Sequence, residues 1–273
     1  MFAVKQWSFV GQRILGKRFE LISTVALLDL VPVYGYATYR KACMSSVENH
    51  LIELLPRSDR KRFLAACEPV QLALSEVLGE PGKPARYVYF PTGGFISLVT
   101  LVEGSPGVEV GMVGREGMLG AQLILGVMQA PWRALVQGEG PAWRLSVAGF
   151  KRELALSSAL QRSLKHYLYV LMAQQAASAG CLRFHMIGQR LARWLLMSQD
   201  RAHSDSFHVT HEFLAYMLGM RRVGVTAAAS AMQKQGLIEY HRGELNVLNR
   251  AGLEAAACGC YAADRHTYAQ LLG

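Results

Sequence analysis

The sequence predicts an α+β chain in three parts, and three stretches carry that prediction. Short β-prone runs separated by glycine and proline turns fill Glu68 to Ser146. A long helical period with a broad apolar stripe runs from near Val147 to about His185. From Thr210 to Leu248 two short helical periods meet at a glycine and lead into a strand pair. At 273 residues, 51% hydrophobic and 18% charged, the chain has room for two globular domains and is too apolar for default disorder. Its net charge of +9 invites a nucleic-acid reading. Residues 186–273, however, hold nine Lys+Arg against seven Asp+Glu, so a case for DNA must rest on where particular arginines sit.

Residues 1–43 form an N-terminal extension. Lys17 and Arg18 precede an apolar stretch that imitates a secretory signal, but Asp29 and Pro32 interrupt it, and it is too short and broken to span a membrane. A conventional polar helix start follows at Met44, so the preferred reading is that the natural product begins there. The alternative is a peripheral anchor or docking segment. Glu48 to Cys67 reads as two short helices broken at Pro56, with Leu51, Ile52, Leu54, Leu55, Phe63 and Leu64 available for burial.

The β-prone runs are Val70–Leu74, Tyr87–Phe90, Phe95–Val102, Val108–Val113, Arg133–Gln137 and Ala142–Leu145. Their regular spacing predicts an antiparallel β-barrel or β-roll within residues 44–156. The long helix, broken near Ser157, carries Leu160, Leu164, Leu168, Leu171, Met172 and Leu182 in a stripe wider than a two-residue heptad seam. That width predicts a dimerisation helix over 157–185, one side on the roll and the other on a partner copy; a purely intramolecular core helix is the competing reading. After a hinge near Phe184 to Met186, Ile187, Leu191, Trp194 and Leu195 form the face that closes the core of the third part, residues 186–273.

In that part Thr210 is an N-cap for a helix burying Phe213, Leu214, Met217 and Leu218, and Gly219 supplies the left-handed residue that stops it. A second helix near Arg221 to Gln235 turns Val225, Ala228, Ala229 and Met232 inward and leaves Arg221, Arg222, Thr226 and Ser230 outward. Strands near Leu237–Tyr240 and Leu245–Leu248 flank a tip containing Arg242 and Gly243. This is the pattern of a winged helix-turn-helix, whose second helix fits the major groove, with Arg221, Arg222, Thr226, Ser230 and Arg242 as the DNA-contacting candidates.

Five scattered cysteines, Cys43, Cys67, Cys181, Cys258 and Cys260, do not form a disulfide framework and favour a reducing cytoplasm. No metal site is expected: one residue separates Cys258 from Cys260, no third ligand lies nearby in sequence, and packing in a C-terminal helix is the simpler role. His203, His208 and His211 read as solvent-exposed residues of a loop and a helix start. No nucleophile, base and orienting acid occur in a recognisable motif, so no enzyme is predicted, and Glu109 and Glu116 read as surface charges.

The order of roll, long helix and winged helix-turn-helix resembles the Crp/Fnr family of bacterial transcription regulators, most specifically in Gln189–Leu196 (QRLARWLL), THEFLAYMLGMRR and QKQGLIEYHRGEL. The resemblance implies a cytoplasmic homodimer on a near-palindromic operator, with RNA polymerase as a further partner, no membrane and no resident cofactor. Of the family's Arg, Glu, Arg set on the recognition helix, matched by Arg222, Val223 and Ala227, only the first is kept, so a different operator is expected. In the family's cyclic-nucleotide cassette the glutamate is matched by Ala121 and the arginine by Trp132, with Arg133 one step along. The implied sensor pocket comprises Gly114, Glu116, Gly117, Gly120, Ala121, Trp132 and Arg133, without the groups that hold cyclic AMP and with its effector unknown. The N-terminal cysteine cluster of iron–sulfur-sensing relatives is missing. The competing class is a stand-alone ligand-binding or docking module built on the roll.

Overall fold

The computed structural model describes residues 49–104 and 107–273; the expectations for residues 1–43, the Met44 start and Cys43 lie outside them. Two helices, α1 (His50–Glu53) and α2 (Arg57–Ala66), flank Pro56 as its missing N–H and fixed φ require. They bury Leu51, Ile52, Leu55 and Phe63, whereas Leu54 stays exposed. Seven strands follow: β1 (Glu68–Leu72), β2 (Val77–Gly79), β3 (Tyr87–Pro91), β4 (Phe95–Thr100), β5 (Val108–Val113), β6 (Arg133–Gly138) and β7 (Gly140–Ser146). They pair antiparallel in two sheets, β1-β7-β3 and β2-β6-β4-β5, as a roll should. Leu72, Tyr89 and Ala142 from one sheet meet Ile96, Leu98, Val113, Ala134 and Val136 from the other in a common core. Strand β2 and a short 3-10 helix at Ala121–Leu125 have no counterpart in the expected runs; both are too short to show a period.

Helix α3 (Val147–Leu156) ends at Ser157, whose hydroxyl accepts from Leu160 N and so caps α4 (Ser158–Phe184). This is the expected break. The inner side of α4 joins a core with α1, α2, α3 and the roll, and here the expected dimer stripe divides. Leu160, Leu164 and Leu171 are buried in the chain's own core, with Leu168 packed against it, while Met172 and Leu182 face outward. Hydrophobicity predicts burial and is silent about the partner; Tyr167 and Val170 also turn inward, rotating the buried face away from Met172.

Helix α5 (Ile187–Ala202) is covered almost all round from Arg190 to Gln199. It lies between β4 and β5 on one side, through Phe95, Val99 and Met112, and the helices that follow on the other. These are β8 (Ser206–His208), α6 (His211–Met217), α7 (Arg222–Lys234), the hairpin β9 (Ile238–His241) and β10 (Glu244–Val247), and α8 (Arg250–Ala256). Thr210 Oγ accepts from Phe213 N at 3.1 Å, and Gly219 has φ +59°, the cap and the stop expected from the sequence. The hairpin turns on Arg242 and Gly243, both at positive φ, as a two-residue turn requires. Strand β8 adds a third edge, and no period announces it in so short a piece. The last helix, α9 (Cys260–Leu272), leaves the winged module and returns along α4; Leu272 enters the core beneath α1 and His50 Nε2 lies 2.7 Å from the Leu272 carbonyl. Among the described residues no helix is long and apolar enough to cross a membrane.

Candidate DNA-reading head and sensor cavity

Helix α7 is held at its root and bare on its outer side. Val225, Ala229 and Met232 are buried, and Gly224 lets the helix approach Ile187 of α5 so closely that a Cβ there would collide with it. Arg221 stands at the N-cap, and Arg222, Thr226 and Ser230 are exposed. Val223 is 81% exposed, which is unusual for a large apolar side chain on a helix that has a core to fill. Sequence reasoning counted Val223 and Ala227 only as lost family positions, yet both lie on this outer side. No ion pair among the described residues engages Arg221, Arg222 or Arg242.

His211 is not the bland surface histidine expected of a helix start. Its ring stacks on Tyr240 of β9 with centroids 4.3 Å apart, its Nδ1 lies 3.0 Å from Thr226 Oγ, and Tyr240 donates to the Val209 carbonyl. The imidazole thereby ties the middle of α7 to the wing. Burial, then the Arg222 charge, hold its pKa below the ordinary histidine value. His208 pairs with Glu244 at 2.7 Å across β8 and β10.

The glycine-rich turn at residues 114–120 joins three parts of the fold, and only its end, Leu119 and Gly120, reaches the roll's cavity at the Glu80–Arg86 loop. Gly117 packs so closely on Tyr167 of α4 that a Cβ would collide with the phenol. Glu116 accepts from Gly114 N at 3.1 Å and from Arg201 Nε of α5 at 2.7 Å, while its backbone carbonyl accepts from Tyr268 of α9 at 2.7 Å. Reading Glu116 as a surface charge is therefore corrected. So is Glu109: its carboxylate accepts from Ser97 at 2.6 Å, and burial pushes its pKa up to about 7 against the partial relief of Ser97, Arg201 and Arg193. Isolated acids in a polar run look alike in sequence wherever they point.

A cavity of about 440 Å³ in the roll lies instead between the loop at Glu80–Arg86 and β6. Of the expected pocket residues only Gly120 and Trp132 line it. Ala121 is buried in the core shared with α4, and Arg133 turns to Glu80 at 3.1 Å. Gly114, Glu116 and Gly117 belong to the junction just described. Gln122, which sequence reasoning missed, does line the cavity; its Oε1 and the Trp132 Nε1 are both buried without a hydrogen-bond partner.

Residues 189–256 match the model of the Crp-like helix-turn-helix domain. No curated protein matches the sequence. Among solved structures, FixK2 from Bradyrhizobium japonicum superposes with a TM-score of 0.60 at 15% identity, covering 70% of this chain and 98% of that one. A CRP-family transcriptional regulator from Thermus thermophilus superposes with 0.57 at 20% identity, covering 69% and 96%. The c-di-GMP-responsive global regulator CLP from Xanthomonas campestris does so with 0.55 at 16% identity, covering 70% and 99%. The chain has the fold of the Crp/Fnr transcription regulators and carries, over residues 189–256, their Crp-like helix-turn-helix DNA-binding domain.

Proposed function

We propose that two copies of this chain, joined along α4, bind a near-palindromic DNA operator and regulate transcription from it. The observation that carries this reading is the outer side of α7, where Arg221 and Arg222, without ion-pair partners among the described residues, stand beside a solvent-facing Val223. In a major groove Arg221 and Arg222 contact guanine edges or phosphates, Val223 meets a thymine methyl, Thr226 and Ser230 add polar contacts, and Arg242 at the wing tip follows the backbone. The dimer seam is the face of α4 that its own core leaves free: Tyr169, Met172, Ala176, Ala179 and Leu182 are exposed at spacings of three and four. Pairing along it sets two reading heads on half-sites about 34 Å apart. Residence in the cytoplasm and contact with RNA polymerase belong to the same proposal. Selecting bound DNA from a random pool tests it: the enriched sites should show dyad symmetry. No enrichment at any salt concentration would favour a module that works through the roll alone.

The roll, in this reading, acts without cyclic AMP. A cyclic phosphate needs a charge-assisted partner, and Arg133 is already paired with Glu80. Val77, Leu78, Tyr89, Leu119, Trp132 and Ala134 suit a less polar effector that offers an acceptor to Trp132 Nε1 and a donor to Gln122 Oε1. Calorimetry should detect no micromolar binding of cyclic AMP. Tight binding abolished by Arg133→Ala would return that arginine to the cavity and overturn the assignment.

A further inference from the structure

Four side chains that the DNA-binding reading does not use converge where α4 ends. Cys181 lies in its last turn, and His185, four residues on, is its C-cap, with its backbone N–H donating to the Cys181 carbonyl. Cys258 and Cys260 flank Gly259, Cys258 in the link between α8 and α9 and Cys260 at the first position of α9. Cys258 is buried, as the expected packing role requires, but lies outside any helix, and the ligands absent from its sequence neighbourhood arrive from the end of α4, Cys181 being 77 residues away. The ligating atoms of all four lie within 4.8 Å of one another. Cys181 Sγ and Cys258 Sγ are 3.6 Å apart, and Cys260 Sγ and His185 Nδ1 are also 3.6 Å apart.

We propose that Cys181, His185, Cys258 and Cys260 form a mononuclear tetrahedral zinc site that pins the end of α4 to the α8–α9 link. Zinc–sulfur bonds of about 2.3 Å and zinc–nitrogen bonds of about 2.0–2.1 Å at tetrahedral angles put sulfurs about 3.8 Å apart and a sulfur and a nitrogen about 3.6 Å apart. The two separations of 3.6 Å fit a single ion, and no other pair of ligating atoms exceeds 4.8 Å; a polynuclear cluster would spread its cysteines much further. A disulfide would engage two of the cysteines and leave both the third thiol and the imidazole unexplained. Charge balance agrees. Three thiolates and one dication leave one negative charge, and Arg190 and Arg193 line the cavity that Cys181 also lines. Arg193 already has Asp264 at 2.6 Å, but Arg190 is buried, donates to the Leu218 carbonyl and has no carboxylate partner among the described residues. An anionic zinc site gives Arg190 its counter-charge.

The position states what such a site does. The hinge between α4 and α5 begins at His185, so zinc fixes the last turn of the proposed dimer helix to the module carrying α7 and α9. Only this consequence rests on the DNA-binding reading; metal uptake does not. The test is cobalt(II) titration of the full chain, reduced and stripped of metal, followed by zinc competition. The expected result is one equivalent of cobalt per chain, with thiolate charge-transfer absorption and the intense d–d bands of a tetrahedral ion, displaced by zinc. Cys258→Ser and Cys181→Ser should each weaken uptake by more than the roughly 10–100-fold that outer-shell partners cost. Cys67→Ser should leave it unchanged, and His185→Cys should retain a tetrahedral site with a shifted spectrum. Folded, reduced protein that takes up no cobalt, a six-coordinate spectrum, or equal uptake by a folded Cys258→Ser/Cys260→Ser variant overturns the site. Unaltered DNA affinity on zinc loading would overturn its role at the hinge while leaving the site standing.

Discussion

Arg221 and Arg222 sit where a helix gains nothing from them. The N-terminal end of a helix carries partial positive charge, so cations at the N-cap and first position oppose the dipole by about 0.3–1 kcal/mol each. The same free N–H groups favour a bound anion, which is what the arginines also attract. Arg222→Ala should therefore leave the thermal midpoint unchanged or slightly raised while weakening operator binding by about 1–3 kcal/mol and relaxing one base position. Uniform weakening across all sequences, with a flatter salt slope, would instead make it a phosphate contact. Glu109 shows the opposite balance. Burial lifts its pKa from 4.5 to about 7, so the folded chain holds a proton that the unfolded chain releases, and stability falls as pH rises across that interval. Glu109→Gln should stabilise the protein above about pH 7 by on the order of 3 kcal/mol, with the advantage closing toward pH 4.5. Denaturant melts at the two ends of the interval measure it, and an equal offset at both would show that Glu109 stays ionised throughout. The place of Arg221 and Arg222 at the head of α7 was legible in the sequence; the burial of Glu109 was not, because in the sequence it is one charged residue among others.

At the scale of the element, α4 has two apolar sides with different work. Leu164 is fully buried against the roll, whereas Met172 is 61% and Tyr169 60% exposed. Leu164→Ala should cost about 2–5 kcal/mol of folding stability through the cavity it leaves. Met172→Glu, touching no core, should change the stability of the folded chain by within about 0.5 kcal/mol. It should nevertheless yield a monomer with poor operator affinity. Sedimentation separates the two: a Met172→Glu protein that remains dimeric moves the interface off α4. The stripe itself was plain in the sequence because its period is helical. Which positions of the stripe meet the roll and which stay exposed was not, since hydrophobicity alone does not separate Leu171, buried in the core, from its neighbour Met172, which faces outward. The α6–α7 pair was read almost residue for residue, because Thr210, Gly219 and Gly236 mark its ends by local chemistry that needs no distant contact.

Across the whole molecule the parts are joined by contacts between residues far apart in sequence, and these are what periodicity and motif cannot reach. The roll's glycine turn touches α4 through Gly117, α9 through the Glu116 carbonyl and α5 through the Glu116 carboxylate, so one short loop holds the sensor, the proposed dimer helix and the reading head in register. Arg201 is buried, and Glu116 is its closest counter-charge. Removing the carboxylate leaves a buried guanidinium that keeps the Met197 carbonyl as an acceptor but has no ion-pair partner among the described residues, and breaking a buried pair in this way costs about 3–5 kcal/mol. Glu116 keeps some solvent contact, which places Glu116→Gln at the lower end, about 3 kcal/mol. If the turn is a joint and not merely a brace, the same substitution should weaken operator binding even though Glu116 lies on the roll, 106 positions before the recognition helix begins at Arg222. Tyr268→Phe, which removes a single neutral hydrogen bond worth about 1 kcal/mol, provides the comparison. A fall in affinity for Glu116→Gln well beyond that of Tyr268→Phe, measured where both proteins are fully folded, identifies the Glu116–Arg201 pair as the link through which the roll orients the reading head; equal affinities would reduce it to a stabilising contact.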